Sequence, residues 1–307
     1  MLRLPGHIPV VTVSNRGEVR AKGLFKKLQE ALEKLGIRFS VIGPGVRFQS
    51  AAELIALLAD TDMLFVDRDS VDSSACLLFA EPEAMPERAD RRAFHCREGS
   101  EARLLAAAMH LWLRQCAAAT PITGAVLIGG KSSRMGRPKH LIENQSGTTW
   151  LGRSLETVGS VTTDLVISGN GAVPDSLKNI ERIADLPGLE GPLAGIGALF
   201  SSRPFTSWLI AACDMPYFSK AALDWILEQR RRDYWAVIPV NPKTGRNEPL
   251  LAWYDYRCGP VIEELIRSGS QRVSELSGHG RIMQPLIPDR LAGSWRNINY
   301  FDEIESS

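Results

Sequence analysis

Short apolar runs alternate with helix-period segments along both halves of the chain, and this alternation limits the possible folds. In the first half, strand-like runs at 9–13, 37–42 and 62–67 are separated by helical spacing at 24–35 and 51–59. The second half has strand-like runs at 125–128, 165–167 and 208–212, and helical patterns at 150–158, 193–200 and 221–230. Such alternation builds parallel sheets covered on both faces. The sequence therefore predicts an α/β protein with two doubly wound domains.

The two halves meet at a Thr-Pro break. A helix predicted over 101–119 must stop at or before Thr120, because the residue that precedes a proline is disfavoured in the helical conformation. A chain of 307 residues is also long enough for about two domains. We therefore predict one domain over 1–120 and a second over 121–307.

Composition excludes several classes of protein. The formal net charge of +1 lacks the basic excess of general nucleic-acid or membrane-surface binders. No apolar run approaches the roughly 20 residues of a membrane span, and residues 1–6 break too early for a secretory leader. The five cysteines are scattered without metal-ligand spacing, so we expect reduced thiols. We expect a cytoplasmic protein without nucleic-acid or membrane partners.

The stretch from Gly129 to Lys139 carries three glycines and four cations, and it directly follows the apolar run 125–128. Glycines let backbone N–H groups approach an anion, and Arg134 and Lys139 add positive charge. The spacing fits neither the P-loop nor the dinucleotide fingerprint. A phosphate-binding loop and an ordinary basic surface loop are both compatible with this composition.

The order of residues 129–139 resembles the signature loop of the molybdenum cofactor guanylyltransferases. Stretches 185–195, 213–216 and 297–299 fit the same family in the same order, so the resemblance covers about residues 121–307. It implies a Rossmann-like nucleotidyltransferase fold for the second domain. It also implies transfer of GMP from GTP to molybdopterin or its molybdenum-loaded form, with release of pyrophosphate.

A carboxylate follows the most apolar strand-like run, where Asp214 comes directly after 208–213. A side chain at the carboxyl end of a central parallel strand projects into the ligand crevice. Because Mg²⁺ is commonly held by one or two carboxylates with phosphate oxygens and water, Asp214 is the predicted metal ligand. Arg134, Lys139 and Asp214 are the predicted catalytic residues. Alternatively, Asp214 merely ends the strand.

The resemblance implies the remaining binding residues. Its substrate contacts are Leu127, Gly129, Gly130, Lys139, Ser168, Asn170, Asp185, Asp214, Glu248, Arg272, Asn297 and Asn299. Asp185 would accept from two donors of guanine, and Ser168 stands where the family tends to have an asparagine. Simpler alternatives stay open, namely an Asn-Gly turn at Asn170, a turn at Asp185 and a solvated cation at Arg272.

The acceptor side of the site is also implied by the resemblance. Glu248 lies where the family receives its pterin, and flanking strands at 235–240 and 250–254 are predicted to pair as an extension over the site. Asn297 and Asn299 alternate on one extended segment, so both point to one side. Their amides could meet the pterin phosphate or complete the shell of the metal.

The first domain weakly resembles the GTP-binding adapter protein of molybdopterin-guanine dinucleotide synthesis. The P-loop Lys-Ser/Thr pair is missing from 14–23, where Lys22 precedes Gly23 and Glu18 adds a carboxylate. We therefore expect no NTP hydrolysis. A docking or dimerisation domain is the alternative to a nucleotide site, with molybdoenzymes or other cofactor-synthesis proteins as candidate partners.

Two other functions remain open at this point. One is a related cytidylyltransferase or sugar nucleotidylyltransferase, although 129–130 and 213–216 resemble the guanine branch more closely. The other is an inactive cofactor-binding or scaffold protein. The complete set of Arg134, Lys139, Asp185 and Asp214 favours an active enzyme over that alternative.

Overall fold

A computed structural model gives the arrangement of most of the chain. It describes residues 10–13, 19–42, 51–67, 103, 106–111, 113, 117, 120–129, 138–144, 146–270 and 272–298. The chain divides into two units, Met1–Thr120 and Pro121–Ser307. Within the described parts, none of the helices combines the length and the apolar character needed to cross a bilayer.

The first unit contains a parallel sheet flanked by helices. Its elements are β1 (Val10–Val13), α1 (Val19–Lys34), β2 (Phe39–Ile42), α2 (Ala51–Asp60) and β3 (Met63–Asp67). The described strands lie in the order β1-β3-β2, and both pairings are parallel. Helix α1 begins five residues before the predicted start, so Lys22 and Gly23 are helical. The sequence also predicts shorter strands at 76–79 and 93–96, and both stretches lie outside the described residues.

The core of the first unit forms between the sheet and its helices. Leu32 of α1, Phe65 of β3 and Met109 from helical residues 106–111 are all buried in one cluster. Phe39 meets Phe65 edge to face, with ring centroids 5.5 Å apart. Apolar burial of this kind contributes about 1.5–3 kcal/mol for each large side chain.

The second unit is built around a seven-stranded sheet. Its strands are β4 (Ile122–Leu127), β5 (Asp164–Ser168), β6 (Glu181–Ile183), β7 (Ser207–Ala212), β8 (Ala236–Val237), β9 (Leu251–Tyr254) and β10 (Ile282–Met283). Its helices are α3 (Trp150–Gly159), α4 (Pro192–Ser202), α5 (Lys220–Glu228) and α6 (Gly259–Arg267). The strand order is β10-β8-β9-β7-β4-β5-β6. Strand β9 is antiparallel to β7 and β8, and the other pairings are parallel.

The centre of this sheet is mostly apolar, as the sequence predicts for the run at 208–212. Every residue of β7 is buried, and Trp208 is completely enclosed. Helix α3 packs closely on β4, because a Cβ added at Gly124 would lie 2.3 Å from Cγ1 of Val158. The sequence predicts Thr148 as the N-cap of the helix at 150–158, but the N-cap of α3 is Thr149, whose Oγ1 accepts from Gly152 N at 3.1 Å.

Two other details differ from prediction. Strands β8 and β9 do pair, but both belong to the main sheet instead of forming a separate extension over the site. Strand β6 was not predicted, since its three residues include two exposed charged side chains. The mixed, mainly parallel sheet with flanking helices confirms the predicted α/β class.

Candidate functional site

The site lies where the strand order reverses direction. From β4 the chain proceeds to β5 on one side, and β7 lies on the other side of β4. In doubly wound sheets, ligands bind at the carboxyl ends of strands at this reversal. Gly129 follows β4 with a φ of 137°, and Asp214 follows β7. Cys213 N donates to Leu127 O at 3.2 Å, which holds the two strand ends together.

Opposite charges meet at these strand ends. Lys139 begins a short 3₁₀ helix, Lys139–Leu141, and its Nζ lies 4.0 Å from Oδ2 of Asp214. A Lys–Asp pair at this separation brings a cation and a carboxylate to the same edge of the sheet. Both groups were predicted to act on a triphosphate and its metal, and the fold brings them together.

A backbone hydrogen bond holds Asp214 in place, and its carboxylate has few hydrogen-bond partners among the described residues. Ile298 N donates to Asp214 O at 2.9 Å. The side chain is 32% exposed, but Oδ1 is buried and lacks a hydrogen-bond partner among the described residues. Burial raises the pKa of Asp214 above its ordinary value, and the charge of Lys139 lowers it. A further positive charge would therefore stabilise the ionised carboxylate.

The available donors fit a metal that also binds the substrate. Burial raises the pKa of Glu248, a hydrogen bond from Asn241 and the charge of Arg246 lower it, and the charge of Asp214 raises it. The described residues contain no cluster of three or more His, Cys, Asp or Glu side chains that could hold a metal ion. Mg²⁺ needs fewer protein ligands when phosphate oxygens and water supply the rest. The buried Oδ1 of Asp214 suits that mode of binding.

A second cluster surrounds the start of α4. A Cβ added at Gly195 would lie 2.9 Å from Oγ of Ser168, 3.1 Å from Oδ1 of Asp185 and 3.3 Å from Cδ2 of Leu127. These three predicted contacts therefore border the same narrow space. Oγ of Ser168 is buried and has no hydrogen-bond partner within the described part of the chain.

Asn170 and Asp185 lie together at the open side of this cluster. Asn170 Nδ2 donates to Oδ2 of Asp185 at 3.4 Å, a long hydrogen bond. Burial raises the pKa of Asp185, while the charge of Arg182 lowers it. A partly buried carboxylate with one weak donor is suited to accept from a ligand that offers two N–H groups.

Several predicted site residues cannot be assigned to the cluster. Gly130, Arg134 and Asn299 lie outside the described residues. Asn297 is exposed next to Ile298, which bonds to Asp214. Arg272 is exposed, and among the described residues no ion pair or side-chain hydrogen bond joins it to the other predicted contacts.

Sequence reasoning missed one residue of the site, His140. It directly follows Lys139, is only 3% exposed, and its Nε2 lies 2.7 Å from Ala172 O. A single histidine has no periodic pattern, so its burial could not be predicted. Its position beside the predicted phosphate-binding lysine was the only available signal.

The fold and the two clusters define a nucleotide-binding α/β protein with a polar site at the carboxyl edge of its sheet. The profile of the MobA-like NTP transferase domain matches residues 124–282, which is more than half of the chain. The chain therefore belongs to the MobA-like NTP transferase family. This membership confirms the prediction of a nucleotidyltransferase.

Individual relatives agree with this assignment. The molybdenum cofactor guanylyltransferase of Desulfosudis oleivorans is 31% identical over 193 residues, covering 61% of this chain and 94% of that protein. A probable molybdenum cofactor guanylyltransferase of Bacillus cereus is 32% identical over 158 residues, covering 50% and 78%. The crystal structure of molybdopterin-guanine dinucleotide biosynthesis protein A from Archaeoglobus fulgidus superposes with a TM-score of 0.50 at 25% identity, covering 60% and 95%.

Proposed function

We propose that this chain transfers the GMP unit of GTP to molybdopterin, or to its molybdenum-loaded form, and releases pyrophosphate. The names of the relatives support this reaction over cytidylyl or sugar nucleotidylyl transfer. The product is a guanine dinucleotide form of the cofactor. An inactive scaffold is disfavoured, because the described polar residues retain a coherent arrangement.

The proposal rests on the presence of two polar clusters at the same edge of the sheet. Lys139 and Asp214 are 4.0 Å apart at one cluster, and Asn170 and Asp185 are 3.4 Å apart at the other. The first suits a triphosphate with its metal, and the second suits a base with two adjacent donors. A nucleoside triphosphate carries both chemical features.

The reaction needs no protein nucleophile. A phosphate oxygen of molybdopterin attacks the α-phosphorus of GTP in line, and the bond from the α-phosphorus to the bridging oxygen breaks, so that pyrophosphate leaves. Lys139 neutralises charge that develops on the phosphates, and Arg134 is proposed to do the same. Asp214 would hold Mg²⁺, which supplies Lewis-acid stabilisation of phosphate oxygens when bound.

Guanine selectivity is attributed to Asp185. Its carboxylate can accept from N1–H and the 2-amino group of guanine, whereas adenine and cytosine do not present both donors. Asn170 orients this carboxylate through the 3.4 Å hydrogen bond. Leu127 and Ser168 line the same space beside Gly195.

The acceptor is proposed to bind on the Glu248 side of Asp214. Glu248 N donates to Pro239 O at 2.8 Å, and the hydroxyl of Tyr254 donates to Pro249 O at 2.7 Å. These two bonds fix the segment that carries Glu248. Asn297, Asn299 and Arg272 are further proposed contacts for the acceptor, and Gly129 and Gly130 for the GTP phosphates.

The first unit is proposed to dock molybdoenzymes or other cofactor-synthesis proteins. The absent Lys-Ser/Thr pair supports a role without NTP hydrolysis. Its described parallel sheet is compatible with an adapter-like origin, although fold alone does not define activity.

The test is a transfer assay on the purified full chain. Molybdopterin and Mg²⁺ are supplied with GTP, CTP or ATP in parallel, and both pyrophosphate and the dinucleotide product are measured. We expect product with GTP and loss of product when EDTA removes the metal. Product with CTP but not with GTP would show cytidylyl transfer instead of guanylyl transfer. No product with any nucleotide would overturn the proposal that the chain is an enzyme.

A further inference from the structure

The buried imidazole of His140 joins two segments that are far apart in the sequence. Its own backbone belongs to the 3₁₀ helix that begins with Lys139. Its Nε2 lies 2.7 Å from Ala172 O, 32 residues further along the chain. Because a carbonyl oxygen only accepts, Nε2 must be the protonated donor in this bond.

The turn after β5 fits closely against this ring. A Cβ added at Gly171 would lie 2.7 Å from Cε1 and 3.0 Å from Nε2 of His140. At Gly169, where φ is 126°, an added Cβ would lie 1.9 Å from Ile128 O. The turn can therefore approach His140 and the end of β4 only because it lacks side chains at these two positions.

The same turn is held from its other side by β6. Gly169 N donates to Ile183 O at 2.9 Å, and Arg182 Nε donates to Gly169 O at 2.8 Å. Asn170 lies between these bonds and the His140 bond to Ala172 O. Its amide then reaches Asp185 at 3.4 Å. The position of Asn170 thus depends on anchors at both ends of the turn.

We infer that His140 is a positioning residue that sets base selectivity by linking the Lys139 segment to the Asn170 turn. The inference rests on the proposed function, since it assumes that Asn170 and Asp185 receive guanine. Loss of the His140 hydrogen bond would free the turn beside Ala172 and weaken the alignment of Asn170 with Asp185. The triphosphate contacts of Lys139 would stay in place.

The test compares His140→Phe, which keeps a buried ring but has no donor, with His140→Gln, which retains an N–H donor. His279→Phe is the matched control, because that ring stacks on Trp235 at 4.8 Å and donates nothing to the turn. Affinities for GTP and ATP with Mg²⁺ are measured by calorimetry, and KM and kcat for GTP are measured in the transfer assay.

We expect His140→Phe to weaken GTP binding and raise KM by roughly tenfold, as for loss of one hydrogen bond, with ATP affinity and kcat nearly unchanged. His140→Gln should restore most of the GTP preference, and His279→Phe should retain it. If the wild type prefers GTP and His140→Phe keeps that preference, or loses GTP and ATP affinity equally, the inference alone is overturned. If the wild type itself does not prefer GTP, the guanine assignment fails and the inference fails with it.

Discussion

The carboxylate of Asp214 has a buried oxygen without a hydrogen-bond partner among the described residues. That oxygen is Oδ1, and Oδ2 is 4.0 Å from the Lys139 ammonium. An unpaired buried polar atom usually costs about 1–3 kcal/mol. That cost is offset when the atom binds a cation during the reaction, which is consistent with its assignment as a metal ligand.

Asp214→Asn should therefore abolish most transfer while preserving the fold. The amide keeps the shape of the side chain but loses the charge that would hold Mg²⁺ against the triphosphate. We expect turnover to fall by roughly two orders of magnitude or more. Steady-state kinetics over a Mg²⁺ series, with thermal unfolding as the fold check, measures this effect.

Two comparisons make the Asp214 result specific. Asp224→Asn changes an exposed carboxylate on α5 that pairs with Lys220, and it should leave turnover unchanged. Lys139→Ala should weaken GTP binding with or without metal, because its ammonium acts on the phosphates directly. Near-normal turnover and an unchanged Mg²⁺ dependence in Asp214→Asn would refute its role as metal ligand.

Asp185→Ala should reduce base selectivity more than it reduces affinity for triphosphates in general. The substitution removes both acceptor oxygens that guanine would use. Hydrogen bonds to a charged group contribute about 1.5–3 kcal/mol, so GTP affinity should fall by roughly ten- to a hundredfold. Calorimetry with GTP and ATP measures this; equal losses for the two nucleotides would leave Asp185 with only a turn-forming role.

At single residues, the sequence allowed the position of a side chain to be predicted where that side chain follows the end of a strand. Asp214 was selected because it follows an apolar run, and the structure brings it near Lys139. The N-cap of α3 was misplaced by one residue, because Thr148 and Thr149 have equal capping ability and backbone geometry decides between them. His140 was missed because its partner, Ala172 O, is defined only by tertiary structure.

At the scale of elements, helix α4 lies close to the site because it has a glycine, Gly195, where it faces the site. Gly195 brings the helix close to Ser168 and Asp185, and an added Cβ would lie within 3.1 Å of polar atoms from both residues. The residues of α4 from Leu193 to Phe200 are buried, so the helix has little freedom to move away. The distance between helix and strand is thus fixed by packing.

Gly195→Ala should displace Asp185 and weaken GTP binding. Overpacking of this kind typically costs about 1–3 kcal/mol, so we expect the Kd for GTP to rise by roughly tenfold. Gly259→Ala at the start of α6 is the matched control, since its added Cβ would have an ordinary 3.5 Å contact with Phe200. An unchanged Kd for Gly195→Ala would show that Asp185 does not contact the nucleotide.

Long apolar elements were easier to predict than short polar ones. Strands β4 and β7 are nearly continuous apolar runs, as expected for buried parallel strands. Strand β6 escaped prediction because only Ile183 of its three residues is buried. The place of β9 between β7 and β8 depends on long-range pairing, which local patterns do not encode.

At the scale of the whole molecule, every described polar cluster of the site belongs to the unit Pro121–Ser307. We therefore predict that residues 121–307, produced alone, retain transfer activity with molybdopterin within a few-fold of the full chain. Circular dichroism and thermal unfolding show whether the fragment is folded, and the transfer assay gives its turnover. A folded fragment without activity would mean that the first unit contributes to catalysis.

The hydrogen bond from Ile298 N to Asp214 O has a consequence for biosynthesis of the protein on the ribosome. Lys139 leaves the ribosome well before Asp214. Ile298, whose backbone bonds to Asp214, emerges 84 residues after Asp214. Domains fold only when their distant contacts become available during synthesis. The nascent chain therefore cannot complete its nucleotide site until Ile298 has been synthesised, and GTP binding would report that the second unit has folded.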